Sequence, residues 1–336
     1  MMIARMPVGL SKGLLFLFFA WMVAAPVSNA EYNARMHVNQ PASESSYHYV
    51  FARYFEERAK EYTNGEFGVT IFPGAQLGGD PAVFQQMQLG AIQAGVFAFP
   101  NLVEFFPAFN LFALPFLFED FDSAAIAFQG PTAEDLYAQF EARTGIKVLG
   151  VFNGGFRGIT NNVRPIENIE DFAGLTIRVP GSPMLISTLE SLGIRPVSIS
   201  GGEIFTALQL GTVDGQESTV SWGFGQGFAD VQRYLTETRH AVTGTGLYIN
   251  SDFFYGLPDD TQRALLRAAE EAVEHVNEVT KQYDRSVVEQ YQKAGLEVTV
   301  IDLEEMRPLV ADIWEEYAPQ VGGIEVIEAL VQDGQR

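Results

Sequence analysis

Two hydrophobic patterns alternate along this chain. Ala34 to Asn39 and Phe67 to Phe72 alternate apolar with polar residues, as strands with one buried face do. Between them, Ser46 to Thr63 carries aromatic and charged faces, which is typical of an amphipathic helix. Strands that alternate with helices indicate βαβ units and open sheets. We predict further strands at Ile92 to Phe97, Ile146 to Phe152, Thr176 to Val179, Arg195 to Ser198 and Leu247 to Asn250.

Proline and glycine mark the boundaries of two more helices. Asp80 and Pro81 should begin a helix, because aspartate is a good cap and proline suits the first helical position. Asp122 to Arg143 reads as helical, with a break at Gly130–Pro131. The chain is therefore expected to be a mixed α/β protein.

The longest predicted helix runs from Pro258 to about Lys293, a stretch without glycine or internal proline. Its apolar residues repeat at helical spacing. At ~1.5 Å per residue, such a helix spans on the order of 50 Å, which exceeds the diameter of one domain. We expect it to cross two lobes. No linker rich in glycine or proline separates these lobes, so each should be discontinuous in sequence.

The N-terminus has the composition of a secretory leader. Arg5 and Lys12 precede an apolar stretch from Gly13 to Ala25, and Ser28 to Ala30 supplies small residues for cleavage. We predict a signal peptide at 1–30 and a periplasmic location, with an uncleaved membrane anchor as the alternative. A lipid anchor is excluded because the chain has no cysteine. No other run approaches the length of a membrane-spanning helix, so the mature protein should not be embedded in the membrane.

Composition narrows the function. The formal net charge is −21, which argues against binding to nucleic acid because that needs a basic face. Without cysteine there are no disulfides, cysteine nucleophiles or cysteine metal ligands. The 4 histidines lack the spacing of a zinc helix, and no phosphate-binding or dinucleotide motif is present. We therefore expect no enzymatic activity, no cofactor and no metal.

A single cation interrupts one strand-type apolar run. Arg178 lies between Leu175 and Val179, with Gly174 before the run and Pro180 after it. A charged group in such a run costs several kcal/mol unless something pairs with it. A guanidinium binds a carboxylate through two parallel hydrogen bonds, which lysine cannot do. The partner is either an internal acid or a small acid from outside the protein.

Several blocks of sequence, in order from about residue 33 to about 318, resemble the extracytoplasmic solute-binding proteins of tripartite ATP-independent periplasmic (TRAP) transporters. The matching segments are Phe72 to Asp80, Gln88 to Ile92, Leu114 to Phe116, Gly154 to Gly158, Gly174 to Pro180, Ala207 to Gln209 and Val213 to Glu217. The resemblance implies an α/β, two-lobed periplasmic binding protein fold, with discontinuous lobes around mixed sheets and one long helix spanning both lobes. We predict lobe I at 31–154 plus 243–283 and lobe II at 155–242 plus 284–336.

The resemblance also implies a function. Proteins of this family capture a small organic acid as the two lobes close. They then deliver it to the small and large membrane subunits of the transporter, and a sodium gradient drives uptake. The identity of the acid stays open among dicarboxylates, sugar acids, hydroxy or keto acids, ectoine-like zwitterions and aromatic acids. A sensing role, in which the protein presents its ligand to a receptor kinase, is one alternative. A periplasmic enzyme on a two-lobed scaffold is another.

The candidate ligand-binding residues of the second lobe follow from the same resemblance. An arginine at the place of Arg178 clamps the ligand's carboxylate, and one at the place of Arg157 contacts the same group or supports the first. Ser218 stands where many relatives have an asparagine that contacts the ligand, so the pocket should be larger there or a water should bridge. Trp222 matches an aromatic residue that packs on the ligand, although a core role is as compatible with an indole.

Three candidates belong to the first lobe. Asn39 and Asp80 match ligand-contact positions of related proteins, and Phe97 at a strand end could line the cavity. Each also has a structural explanation. Asp80 could cap a helix, which we favour. Asn39 could be a turn residue at a strand end, and Phe97 could belong to the core, as most buried aromatics do.

Overall fold

The computed structural model describes residues 30–336. The predicted leader at 1–30 lies outside these residues, apart from Ala30. The strands are β1 (Tyr32–Val38), β2 (Phe67–Phe72), β3 (Ala94–Ala98), β4 (Ile146–Asn161), β5 (Thr176–Val179), β6 (Arg195–Ser198), β7 (Gly215–Thr219), β8 (Tyr234–Glu237), β9 (Val242–Asn250) and β10 (Glu297–Val300). The helices are α1 (Tyr47–Tyr62), α2 (Asp80–Gln88), α3 (Phe121–Ala127), α4 (Pro131–Thr144), α5 (Pro183–Ser191), α6 (Ile204–Gln209), α7 (Val220–Gly225), α8 (Ser251–Tyr255), α9 (Asp259–Lys293), α10 (Leu303–Met306), α11 (Asp312–Val321) and α12 (Ile324–Asp333).

One strand, β4, belongs to two sheets. The first sheet has the order β2-β1-β3-β9-β4, and the second continues as β4-β7-β5-β6. Strand β8 also pairs with β4 and carries β10 at its other edge. Both sheets are mixed. In the first, β1 pairs in parallel with β2 and β3, while β9 is antiparallel to β3 and β4. In the second, β5 pairs in parallel with β6 and β7, while β7 is antiparallel to β4. These mixed sheets with helices packed around them confirm the predicted α/β fold class.

The switch between the sheets occurs at an irregularity in β4. The pairing of β4 with β9 shifts register between Asn153 and Phe156, and the second sheet takes over from Arg157 onward. Gly155 within this step has φ +103°, a left-handed conformation that suits glycine. The chain is thereby turned from one sheet into the other without leaving the strand.

Helix α9 binds the backbone that this irregularity leaves unpaired. Asn277 Oδ1 accepts from the Asn153 N–H at 2.9 Å. The Thr280 hydroxyl donates to the Asn153 carbonyl at 2.8 Å and shares its hydrogen with the Val276 carbonyl of its own helix, also at 2.8 Å. Asp284 Oδ1 accepts from the Phe156 N–H at 3.1 Å. Buried polar backbone groups need such partners, so the crossing is held by side chains of the helix that lies over it.

Helix α9 packs against both parts of the protein, as its length predicts. It has 35 residues, so it is about 50 Å long. Near its start, Leu265 and Ala272 belong to the core cluster under the first sheet. Near its end, Val287 and Tyr291 pack with Leu235 of β8. The helix therefore connects the two lobes, which confirms the predicted long helix.

The predicted elements agree with the structure where the sequence pattern is regular. Strands β2, β5 and β6 have the predicted bounds, and α3 and α4 are separated where Gly130–Pro131 predicts a break. Strands β4 and β9 are longer than predicted, because their inner halves lie in the protein interior and show no alternation. In the described residues, no helix is both long enough and apolar enough to span a bilayer.

The division into lobe I and lobe II stays a prediction. Strand β10, which we assign to lobe II, pairs with β8 of the same lobe. Helix α12, from the same C-terminal segment, packs against α3 and α4 of lobe I, and α11 contacts both α5 and the 107–113 turn. The C-terminal helices thus contact elements of both predicted lobes.

We predict that Thr280→Val destabilises the protein by about 1–3 kcal/mol, because the Asn153 carbonyl would lose its donor inside the fold. Thr188→Val in α5 is the matched control, since its equally buried hydroxyl bonds only to backbone and sulfur of its own helix. Denaturant unfolding of both variants is the measurement. Equal stability of the two variants would contradict the role that we assign to the α9 contact.

Candidate functional site

Arg178 lies in β5, the strand between β6 and β7 in the second sheet. Its side chain is 4% exposed, so the guanidinium has lost most of its water. Its Nε donates to the Ile199 carbonyl at 2.8 Å. Among the described residues, no carboxylate forms an ion pair with it. Arg178 is therefore a buried cation whose charge has no direct internal partner.

The electrostatics of Arg178 reflect this burial. Desolvation lowers the pKa of the Arg178 guanidinium to about 9, and the nearby Arg157 charge acts in the same direction, while Glu217 opposes both. The side chain still carries its charge at neutral pH. A carboxylate brought into contact would stabilise that charge, because an opposite charge favours the ionised form.

Arg157 is buried to the same extent but has its own acid. Its Nη2 donates to Glu217 Oε2 at 2.7 Å, and its Nε donates to Glu217 Oε1. Its Nη1 donates to Thr243 Oγ1 at 2.7 Å. His240 Nε2 lies 3.1 Å from Glu217 Oε1 on the other side. Glu217 therefore offsets the charge of Arg157 within the protein.

Glu217 keeps this pair ionised over a wide pH range. Burial raises the pKa of Glu217, but the charge and hydrogen bonds of Arg157, with help from His240, outweigh it and lower the pKa to about 2. A depressed carboxyl pKa adds stability that is present above the unfolded-state value and is lost as the pH falls through the folded-state value. The pair is thus intact at neutral and mildly acidic pH.

Asp80 does not cap α2 with its side chain, although the sequence favours that role. The N-cap residue is Gly79, and the Asp80 carboxylate turns to other partners. Oδ1 lies 2.9 Å from His37 Nε2. Oδ2 accepts from Asn39 Nδ2 at 2.9 Å and from Asn101 Nδ2 at 2.6 Å. Asp80 is therefore the centre of a buried polar network that fixes two asparagine amides.

The network continues from Asn39 to helix α1. Asn39 Oδ1 lies 3.0 Å from Nδ1 of His48. Burial lowers the pKa of His48 to about 3, so the imidazole is neutral under physiological conditions. Asn39, predicted as a ligand contact or a turn residue, thus links the Asp80 carboxylate to a neutral histidine.

Two neighbouring cavities meet at Arg178. The smaller has a volume of about 430 Å³ and the larger of about 790 Å³. Both are lined by residues from the two sheets, and they share the following residues: Asn39, Pro100, Asn101, Arg178, Pro180 and Gly201. The smaller cavity also contacts Tyr47, His48, Arg157, Ser218, Thr219, Trp222 and Thr243. Asp80 and Glu104 line only the larger one.

The other predicted residues divide between cavity and core. Ser218 and Trp222 line the smaller cavity, where the Trp222 ring packs edge-on against Phe228. Phe97 is fully buried, stacks on His37 and lines neither cavity. The structure therefore places Phe97 in the core, and the backbone beyond it, at Ala98 and Pro100, reaches the cavity.

Sequence reasoning did not select His48, Asn101, Thr243 or Glu217. In open α/β sheets, ligands bind beyond the carboxyl ends of parallel strands. Asn101 lies three residues after the end of β3, so this rule could have found it, whereas His48 lies in the first turn of α1, ten residues after the end of β1. Glu217 ends the matching block Val213 to Glu217, but nothing in that block marks it as the partner of Arg157, and Thr243 lies inside a strand without a distinguishing pattern. Only their contacts with Arg157 reveal their role.

The described residues contain no cluster of three or more His, Cys, Asp or Glu side chains that could hold a metal ion.

Comparison with known proteins places the chain in a family. The family model described as bacterial extracellular solute-binding protein, family 7 (DctP) matches residues 38–320. The chain is 31% identical over 284 residues to the C4-dicarboxylate-binding periplasmic protein DctP of Rhodobacter capsulatus, a match that covers 82% of this chain and 84% of that protein. It is 30% identical over 288 residues to the 2,3-diketo-L-gulonate-binding periplasmic protein YiaO of Escherichia coli, covering 86% and 87%.

Solved structures agree in fold. A TRAP periplasmic solute-binding protein of Polaromonas, bound to D-erythronate, has a TM-score of 0.85 at 27% identity, covering 89% of this chain and 98% of that one. Another from Desulfovibrio salexigens, with bound orotic acid, has a TM-score of 0.83 at 29% identity, covering 91% and 99%. The predicted membership among the TRAP solute-binding proteins is thereby confirmed. This chain belongs to the DctP family, family 7 of the bacterial extracellular solute-binding proteins.

Proposed function

We propose that this protein captures a small organic acid in the periplasm for a TRAP transporter and that Arg178 binds the acid's carboxylate. The observation that carries the proposal is the buried guanidinium of Arg178, which lines both cavities and forms no ion pair with a carboxylate of residues 30–336. Relatives support the ligand class, since related proteins bind dicarboxylates, sugar acids and orotic acid. The family further supports delivery of the ligand to small and large membrane subunits.

Hydrogen bonds between Arg178 and a ligand carboxylate are strong enough to supply much of the free energy of tight binding. A charge-assisted hydrogen bond contributes roughly 1.5–3 kcal/mol net. Two such bonds to one carboxylate supply a good share of the ~8 kcal/mol that corresponds to micromolar affinity. Arg157 has a supporting role in this proposal. Three of its N–H groups bond to Glu217 and Thr243, so it can add hydrogen bonds to the ligand but no uncompensated charge.

Binding is coupled to closure of the cleft. Residues of both predicted lobes line the cavities, so a ligand in them contacts both lobes only when the cleft is closed. Such a ligand shifts the population toward the closed form through its differential affinity. The lobes also touch each other directly. A methyl group added to Gly225 of α7 would lie 2.8 Å from the Ser45 carbonyl oxygen. The close approach therefore depends on glycine, which has no side chain, at position 225.

The proposal predicts that Arg178→Ala weakens binding by about 2–5 kcal/mol, because the ligand's carboxylate would lose its charged partner. Arg178→Lys should restore only part of the lost affinity, because lysine lacks the two parallel N–H donors of the guanidinium. A thermal-shift panel of succinate, D-erythronate and orotate would identify a ligand, and calorimetry would measure its affinity. Arg195→Ala, which removes an exposed arginine on the neighbouring strand β6, is the control. Affinity that is unchanged in Arg178→Ala would end the proposal.

Closure predicts an effect of Gly225→Ala, a change that touches no cavity residue. Alanine is favoured over glycine in a helix by up to about 1 kcal/mol, so the ligand-free protein should be no less stable. Its methyl group would meet the Ser45 backbone only in the closed form, and ligand affinity should fall severalfold. Gly256→Ala, at the exposed end of α8 and outside both cavities, is the control. Calorimetry that gives equal affinities for both variants would argue against this contact between lobes.

Trp222 should report on ligand binding. It lines the smaller cavity, whereas Trp314 donates its indole N–H to the Pro115 carbonyl and lies outside both cavities. We expect ligand-dependent quenching of tryptophan emission that disappears in Trp222→Phe and persists in Trp314→Phe. A flat emission titration of the unmodified protein at saturating ligand would speak against the placement of Trp222 beside the ligand.

A further inference from the structure

The side chains that line the smaller cavity include two groups of opposite hydrogen-bonding polarity. One group, here called the donor wall, consists of Arg157, Arg178 and Thr243. Thr243 Oγ1 accepts from Arg157 Nη1 at 2.7 Å and from the Thr219 hydroxyl at 2.8 Å. Its own hydroxyl hydrogen is left to donate elsewhere. Every polar side chain of the donor wall can therefore give a hydrogen to a carboxylate.

The other group, here called the acceptor wall, consists of His48 and Asn101. As a carboxylate, Asp80 can only accept, so Asn39 and Asn101 must turn their NH₂ groups toward it. The Asn101 carbonyl oxygen is then the remaining polar atom of that side chain. Among the described residues, no donor reaches it.

The protonation state of His48 follows from the same constraint. Since the NH₂ group of Asn39 donates to Asp80, its Oδ1 can only accept, and Nδ1 of His48 must carry the hydrogen between them. With burial lowering the pKa of His48 to about 3, the ring holds a single N–H. His48 Nε2 is therefore a bare acceptor. The side chain is 2% exposed, and within the described part of the chain nothing donates to Nε2.

The charges around the two cavities divide in the same way as the hydrogen-bond donors and acceptors. Arg178 supplies one positive charge, and Glu217 cancels the charge of Arg157. Beyond the acceptor wall, Asp80 and Glu104 line the larger cavity and are acidic. The smaller cavity, which Asp80 and Glu104 do not line, thus has one uncompensated positive charge, enough for one ligand carboxylate. A second carboxylate would meet acceptors and like charges, and like charges repel in a low-dielectric cleft.

We infer that the ligand is a monocarboxylate that carries hydroxyl groups, with its carboxylate on the donor wall and its hydroxyl groups donating to His48 Nε2 and Asn101 Oδ1. This assignment rests on the proposed function and narrows its ligand class. A hydroxyl donates one hydrogen, which the acceptor wall requires, whereas an ionised carboxylate has none to give. A dicarboxylate of the same length leaves those acceptors unpaired and adds a charge without a partner.

Three pairs of acids test the assignment, because the members of each pair differ only in a terminal CH₂OH or carboxylate. The pairs are 4-hydroxybutyrate with succinate, D-erythronate with meso-tartrate, and D-gluconate with D-glucarate. In any pair that binds, the hydroxy acid should bind at least about tenfold more tightly, as the loss of one hydrogen bond implies. Calorimetry at pH 7.5, where the dicarboxylates are doubly ionised, gives the ratio. Equal or tighter binding of the dicarboxylate overturns the inference and leaves the proposed function standing.

Substitution of the acceptor wall should reduce this preference. His48→Phe keeps an aromatic ring but removes Nε2, so the affinity ratio between hydroxy acid and dicarboxylate should fall toward one. Asn101→Leu, at a partly exposed position, tests the same wall should His48→Phe fail to fold. His275→Phe is the control, since His275 is exposed and stacks on Tyr54 away from the cavities. A ratio that is unchanged in both wall variants contradicts the inference.

The remaining outcomes distinguish a failure of the inference from a failure of the proposed function. Binding of orotate without any member of the three pairs would overturn the inference while the proposed function stands. If neither orotate nor any of the six paired acids binds, the result counts against the proposed function and against the inference with it.

Discussion

The unpaired charge of Arg178 is the constraint on which the site depends. Arg157 is equally buried, but Glu217 accepts two of its hydrogen bonds and cancels its charge. Arg157 is therefore part of the framework, and Arg178 is the arginine that we propose to bind a molecule from outside. A buried cation without a partner is costly, so the free protein holds a charge that an incoming carboxylate can stabilise.

The architecture explains how this charge can be both buried and accessible. Strand β4 passes from one sheet to the other, and α9 binds the irregular backbone at the crossing through Asn277, Thr280 and Asp284. The smaller cavity is lined by residues of both sheets, near the point where Ser45 approaches Gly225 at the end of α7. In the proposed function a ligand is enclosed there, while the charged strand β5 keeps a strand on each side within its own sheet.

The sequence was sufficient for the parts of the protein whose chemistry is local. Arg178 is recognisable because a charge in a short apolar run is unusual, and α9 because a long stretch has neither glycine nor internal proline. The relation between Arg157 and Glu217 was not predictable, since the two residues meet only across the β4–β7 pairing. For the same reason Asp80 looked like a helix cap, although His37, Asn39 and Asn101 converge on its carboxylate.

A crystal structure of the protein with the acid that binds it most tightly is the most direct measurement. The account predicts that both oxygens of one ligand carboxylate lie within hydrogen-bond distance of the Arg178 guanidinium, at roughly 2.7–2.9 Å, while Arg157 keeps its bonds to Glu217. An acid bound away from Arg178, or Arg178 turned onto an internal carboxylate with the ligand in place, would contradict it.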